Sequence, residues 1–95
     1  MNSQRRKEIA TAVEILKELQ TTIETVLEEA KDILDTAKDE EQEYMDNMPE
    51  SLQSGEKYSN AEEAVQVLED VISSIEDMQS NIDIEELVDN IESII

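Results

Sequence analysis

The sequence predicts an all-α protein: a long antiparallel helical hairpin with a short third helix, expected to assemble as a helical-bundle dimer. Three observations predict it. Apolar residues recur every seven positions along much of the chain. The single Pro and the single Gly, Pro49 and Gly55, fall in one short stretch and leave long uninterrupted patterns on either side. Hydrophobic residues make up 38% of the chain, yet Tyr44 and Tyr58 are its only aromatics, so the core must be aliphatic, as in helix seams. At 95 residues the chain is a single domain, 1–95, with the inter-helix connection at 47–58. A domain this small without Phe or Trp buries limited apolar area, and association into a homodimer is the expected remedy.

The first helix is expected over about 3–46. Ile9, Leu16, Ile23, Ala30, Ala37 and Tyr44 mark one heptad column, a. Ala12, Leu19, Val26 and Ile33 mark column d, and Val13, Leu27 and Leu34 widen the stripe onto column e. Such a helix is about 65 Å long. Glu28–Lys31, Lys31–Asp35 and Asp35–Lys38 are spaced to pair along its outer surface.

The second helix is expected over about 59–80. Ser59-Asn-Ala-Glu62 fits a capping box. Ala61, Ala64, Val65, Leu68, Val71, Ile72, Ile75 and Met78 mark its apolar face. Outside that face lie the doublets Glu62–Glu63, Glu69–Asp70 and Glu76–Asp77, seven residues and therefore ~10.5 Å apart.

Near Asn81 the phase changes, because Ile84 follows Ile75 by nine residues and falls on the opposite side of a continuous helix. The reading favours a break and a third helix over about 83–94, with Asp83 and Glu86 as a fresh capping box. Ile84, Leu87, Val88, Ile91, Ile94 and Ile95 are its apolar set. They are the expected oligomer interface, with packing back onto the first helix as the alternative. In the connection, Pro49 suits the start of a helical turn, Leu52 is expected to point inward, and Ser54-Gly55-Glu56 is the flexible part. Tyr44 and Tyr58 are expected to plug the hairpin end.

Charge narrows the function more than any motif. The net charge is −19, and the last cation is Lys57. From Tyr58 to Ile95 there are eleven carboxylates and no Lys, Arg or His. A rigid acidic array repels nucleic acid and acidic membranes and attracts the proteins that bind them. No apolar run approaches membrane-spanning length, and the basic Met1–Lys7 tract lacks the apolar stretch of a secretory signal, so a cytoplasmic location is expected.

Catalytic chemistry finds little support, and the expectation is a protein that is not an enzyme. Without His or Cys there is no His-based triad, no Cys–His pair and no thiolate zinc site; one Gly cannot form a phosphate loop. A calcium loop beginning at Asp35 has Glu40 where Gly is needed and Asp46 where a bidentate Glu belongs. Glu40-x-x-Glu43 with Glu62–Glu63 and Glu69–Asp70 echoes the magnesium clusters of helical nucleotide pyrophosphohydrolases, but those enzymes also need cationic and amide groups for the nucleotide, and this chain has no cation beyond Lys57. No catalytic residue, metal site or cofactor is therefore expected. The one cationic cluster, Arg5-Arg6-Lys7, opposes the dipole of its own helix and invites pairing with the acidic end of a second chain or of the third helix.

Gln4-Arg-Arg-Lys-Glu-Ile9 followed by Asp39-Glu-Glu-Gln-Glu-Tyr44-Met-Asp-Asn-Met-Pro49-Glu-Ser-Leu-Gln53 resembles short acidic proteins of unassigned function encoded by bacteriophages and prophages. The resemblance covers most of the chain, and Glu41–Gln53 is its specific part. It implies a viral origin, an accessory role and, with it, the cytoplasm of a host cell; it carries over no catalytic residue.

Three functions are weighed. The leading one is a decoy that occupies the groove of a basic host nucleic-acid-binding protein, without binding nucleic acid or membrane itself. Glu62, Glu63, Glu69, Asp70, Glu76 and Asp77 would form the DNA-mimicking surface, with Asp39, Glu40, Glu41 and Glu43 as a second patch. Against it stands the plain reading of these carboxylates as a solubilising face. The second function is a structural or assembly oligomer, a scaffold or adaptor. The third is an oligomeric sponge for a nucleotide, with Arg5, Arg6 and Lys7 gathered at a subunit interface.

Overall fold

The computed structural model describes all residues, 1–95, and is all-helical. α1 spans Ser3–Asp46, a 3-10 turn spans Glu50–Leu52, α2 spans Glu56–Asn81 and α3 spans Ile84–Glu92. The Cα atoms fill a rod of 76 × 16 × 14 Å. The radius of gyration is 21.9 Å, against about 12 Å for a compact domain of this length.

α1 begins where the Asn2 side chain accepts a hydrogen bond from the Arg5 amide at 2.8 Å. It then continues for 44 residues because neither Gly nor Pro interrupts it. Met45 packs with Ala61 and Val65 at the loop end, Lys31 reaches Glu76 midway, and Val13 packs with Ile84 and Val88 near the other end. These pairings run in opposite directions along the chain, so α2 and then α3 lie antiparallel to α1.

α2 starts three residues before the position the Ser59 box predicts. Gly55 is its N-cap, and Ser59 lies inside the first turn, its amide bonded to the Gly55 carbonyl at 3.2 Å. Tyr58 explains the shift: it is half-buried against the Met45–Ala61–Val65 cluster, and that packing draws the preceding turn into the helix. Tyr44 is 46% exposed and stands outside that cluster. Leu52 does not point inward either; it is 57% exposed, because the 3-10 turn after Pro49 rolls it outward.

The break before α3 falls where the apolar phase changes. Ile82 caps α2 in an extended conformation, and the Asp83 side chain accepts from the Glu86 amide at 2.9 Å. Asp83→Ala removes that acceptor, and the expected cost is about 1 kcal/mol. Comparison of denaturant midpoints for Asp83→Ala and Asp83→Asn checks it, since Asn restores the cap; equal losses in both would show the cap bond to be unimportant.

The intramolecular seam differs from the expected one. Val13 is buried and Leu27 and Leu34 are half-buried, all in column e, whereas Leu19, Val26 and Ile33 in column d are 46%, 50% and 70% exposed. α2 repeats the pattern. Taking Ala61, Leu68, Ile75 and Ile82 as its column a, Val65 and Ile72 in column e are buried, and Val71 and Met78 in column d are exposed. Each helix thus uses one flank of a wide apolar stripe and leaves the other flank open. The seam actually formed is modest: seven residues are buried.

Candidate acidic interface

The carboxylates of α2 occupy only two heptad columns, b and c. Glu62, Glu69 and Glu76 follow column a by one residue, and Glu63, Asp70 and Asp77 follow by two. All six are exposed. Helix geometry puts column b ~100° from column a, on the side of column e, and thus on the opposite side of the rod from column d. Charge and open apolar surface are segregated.

These six residues do not have equal surroundings. Glu76 is paired with Lys31 at 3.4 Å, so its charge is partly neutralised. Asp70 accepts a hydrogen bond from Gln66 at 3.0 Å, which fixes its carboxylate without removing charge. Glu62, Glu63, Glu69 and Asp77 form no ion pair. In the second patch Asp39 lies 3.9 Å from Lys38, Glu40 and Glu43 are exposed, and Glu41 is half-buried in the seam. At the loop end Glu40, Glu41, Lys57, Asn60 and Ala61 line one shallow depression, and Glu40 and Glu43, in columns d and g of α1, lie on the side of the rod away from column b.

The cations of α1 answer the acid of the other helices at two points. Lys17 meets Glu92 at 3.0 Å, and that hydrogen bond raises the Lys17 pKa above the ordinary 10.5. Lys31 is raised above the same value chiefly by the charge of Glu76. Lys31 therefore pairs across helices rather than with Glu28 or Asp35 in its own, while the expected pairing of Asp35 with Lys38 forms at 3.8 Å. Both inter-helix pairs lie on the column-b side of the rod. Arg5, Arg6 and Lys7 have no ion-pair partner. α3 cannot supply one, because it ends at the level of Lys17, about 15 Å short of Lys7 along α1.

The apolar set of the C-terminal segment divides in two. Ile84 and Val88 are buried on Val13, with Ile91 half-buried beside them, which is the packing back onto the first helix. Leu87, Ile94 and Ile95 are 53%, 59% and 40% exposed. No three carboxylates converge at a spacing that would hold a metal ion. No helix is long and apolar enough to cross a membrane.

Sequence reading placed the acidic doublets but missed the engagement of Glu76. The seven-residue interval from Lys31 to Lys38 matches that from Glu69 to Glu76, but it would equally pair Lys38 with Glu69, and Lys38 turns to Asp35 and Asp39 instead. No protein-family model, curated protein or solved structure matches the chain.

Proposed function

We propose that this protein is a non-catalytic acidic rod of viral origin that binds a basic, nucleic-acid-binding host protein and blocks its groove, acting as a helical-bundle dimer. The linear density of charge on a stiff scaffold carries this reading. Nineteen net negative charges along 76 Å amount to one per 4 Å. Single-stranded nucleic acid carries about one per 3.4 Å and duplex DNA about one per 1.7 Å. The carboxylates stand on helices rather than loops, so little conformational entropy is lost when they meet a cationic groove. Glu62, Glu63, Glu69, Asp70 and Asp77 are the contact set, while Glu40 and Glu43 form a separate patch at the loop end; Glu76 contributes less because Lys31 holds it.

The test is competition. Immobilised protein should retain nucleic-acid-binding proteins from a bacterial lysate at low salt and release them at high salt. The purified captured protein should then lose its DNA when the acidic chain is added. Changing Glu62, Glu63, Glu69, Asp70 and Asp77 to their amides should weaken that competition about tenfold or more. Equal competition by the amide variant, or capture confined to proteins that bind no nucleic acid, would discard the decoy. The second function, an elongated assembly element, would then stand first, supported by the rod shape and its open apolar flank.

A further inference from the structure

The side of the rod away from the carboxylates is nearly free of charge. In α2, columns a, d and g from Asn60 to Ile82 contain no ionisable residue, in a chain that is 35% charged. In α1 the same columns contain one charge from Ile9 to Ala37, Glu29, and further charges only at the ends of the helix, Arg5 and Glu8 at the start and Glu40 and Glu43 at the loop end. Columns d and e lie on either side of a, ~100° apart. Both helices turn their a and e columns toward each other, and they run in opposite directions. Their d columns therefore fall on the same side of the plane through the two axes. Leu19, Val26 and Ile33 thus share one face with Val71 and Met78, and Leu87 of α3 continues it.

That face is half of a bundle core. Leu16, Ile23, Leu68 and Ile75 lie between the covered and open flanks and are only half-buried. The chain exposes 7023 Å², whereas a compact monomer of 10.8 kDa exposes about 5500 Å². The excess, on the order of 1500 Å², exceeds the ~800 Å² that each partner contributes to a standard stable interface.

We propose that a second copy of this chain covers the uncharged face, antiparallel to the first, so that the cationic start of each α1 meets the acidic end of the other. This refines the self-association in the preceding proposal and does not depend on the basic host protein. Charge selects the occupant. Two chains of −19 can approach only where neither is charged, and this face lets every carboxylate of columns b and c stay outside.

Charge also selects the direction. In an antiparallel heptad seam, column a of one helix meets column d of the other. Ile23 then faces Val26 of the partner subunit, and Leu16 faces Ile33 of the partner subunit. The same register brings Arg5, in column d, and Arg6, in column e, to the level of the acidic Glu40–Glu43 stretch of the partner subunit, with Arg6 on the same flank as Glu41 of the partner subunit, and so offers ion pairs that these cations lack within their own chain. With the two chains parallel, the triplets would lie at the same end, beyond the reach of either α3. The antiparallel pair also concentrates charge: 38 net charges on a rod still 76 Å long is one per 2 Å, close to duplex DNA.

The test needs the purified full chain alone. Sedimentation equilibrium should give twice 10.8 kDa. Ile33→Glu places a charge on each copy's open flank and should raise the dimer dissociation constant about a hundredfold while leaving monomer helicity intact. Because the chain has no cysteine, single cysteines report the register. Val26→Cys should form an inter-chain disulfide, its two copies lying about 4.5 Å apart along the axis, whereas Ile33→Cys should not, at about 25 Å. A monomer at every concentration, a dimer indifferent to Ile33→Glu, or preferential cross-linking of Ile33→Cys would each overturn the proposal.

Discussion

Replacing Val13 by Asp should release α3 from the rod. Val13 is 3% exposed and is the one buried residue of α1 that packs against Ile84 and Val88. The nearest cation, Lys17 one turn on, is already engaged by Glu92, so a carboxylate there would lack a free partner and would sit among the acids of α3. The expected loss is on the order of 3 kcal/mol or more, a large part of the roughly 5–15 kcal/mol that holds a typical domain together. Nine residues cannot remain helical alone in water. Hydrogen exchange should therefore show the α3 amides becoming unprotected while those at the Met45–Ala61 end keep their protection. Thr25→Asp adds the same charge at an exposed site and should cost no more than about 0.5 kcal/mol. If α3 amides stay protected in Val13→Asp, the Val13 cluster does not hold the helix.

Thermal stability should rise with salt, the reverse of what four surface ion pairs alone would give. At about 0.01 M ionic strength the screening length is ~30 Å, longer than the rod is wide at 16 Å. Twenty-six carboxylates then repel one another across the whole cross-section, with seven cations to offset them. At about 1 M the length falls to ~3 Å and the repulsion is confined to nearest neighbours. Lys17–Glu92 and Lys31–Glu76 weaken at the same time, but exposed pairs contribute only ~0–1 kcal/mol. The net expectation is a Tm about 5 °C or more higher at high salt, measured at one protein concentration because association also moves Tm. A Tm that falls with sodium chloride would mean that these pairs outweigh the repulsion.

Much of the helical order is legible in the residues. The extent of α1 follows from 44 residues without Gly or Pro, and the break before α3 from the nine-residue step between Ile75 and Ile84. Both are properties of backbone propensity and local phase, which neighbouring residues settle among themselves. The acidic doublets are legible for the same reason, since spacing of seven keeps them on one side of any helix.

The ends and the seam were decided elsewhere. Ser59 offers a sound cap, yet α2 starts at Glu56, with Tyr58 inside its first turn and packed on the Met45–Ala61–Val65 cluster. Lys31 has two suitable carboxylates in its own helix and pairs with Glu76 of another. Above all, columns a and d of α1 are apolar from Ile9 to Ala37 and column e is apolar at Val13, Leu27 and Leu34, and periodicity alone does not tell which pair is the seam. The tertiary structure chose a and e, burying Val13 and leaving Ile33 70% exposed. Helical phase is local and therefore written in the sequence. Which flank of a wide apolar stripe becomes core depends on the shape of surfaces that arrive from distant parts of the chain, and only their packing decides it.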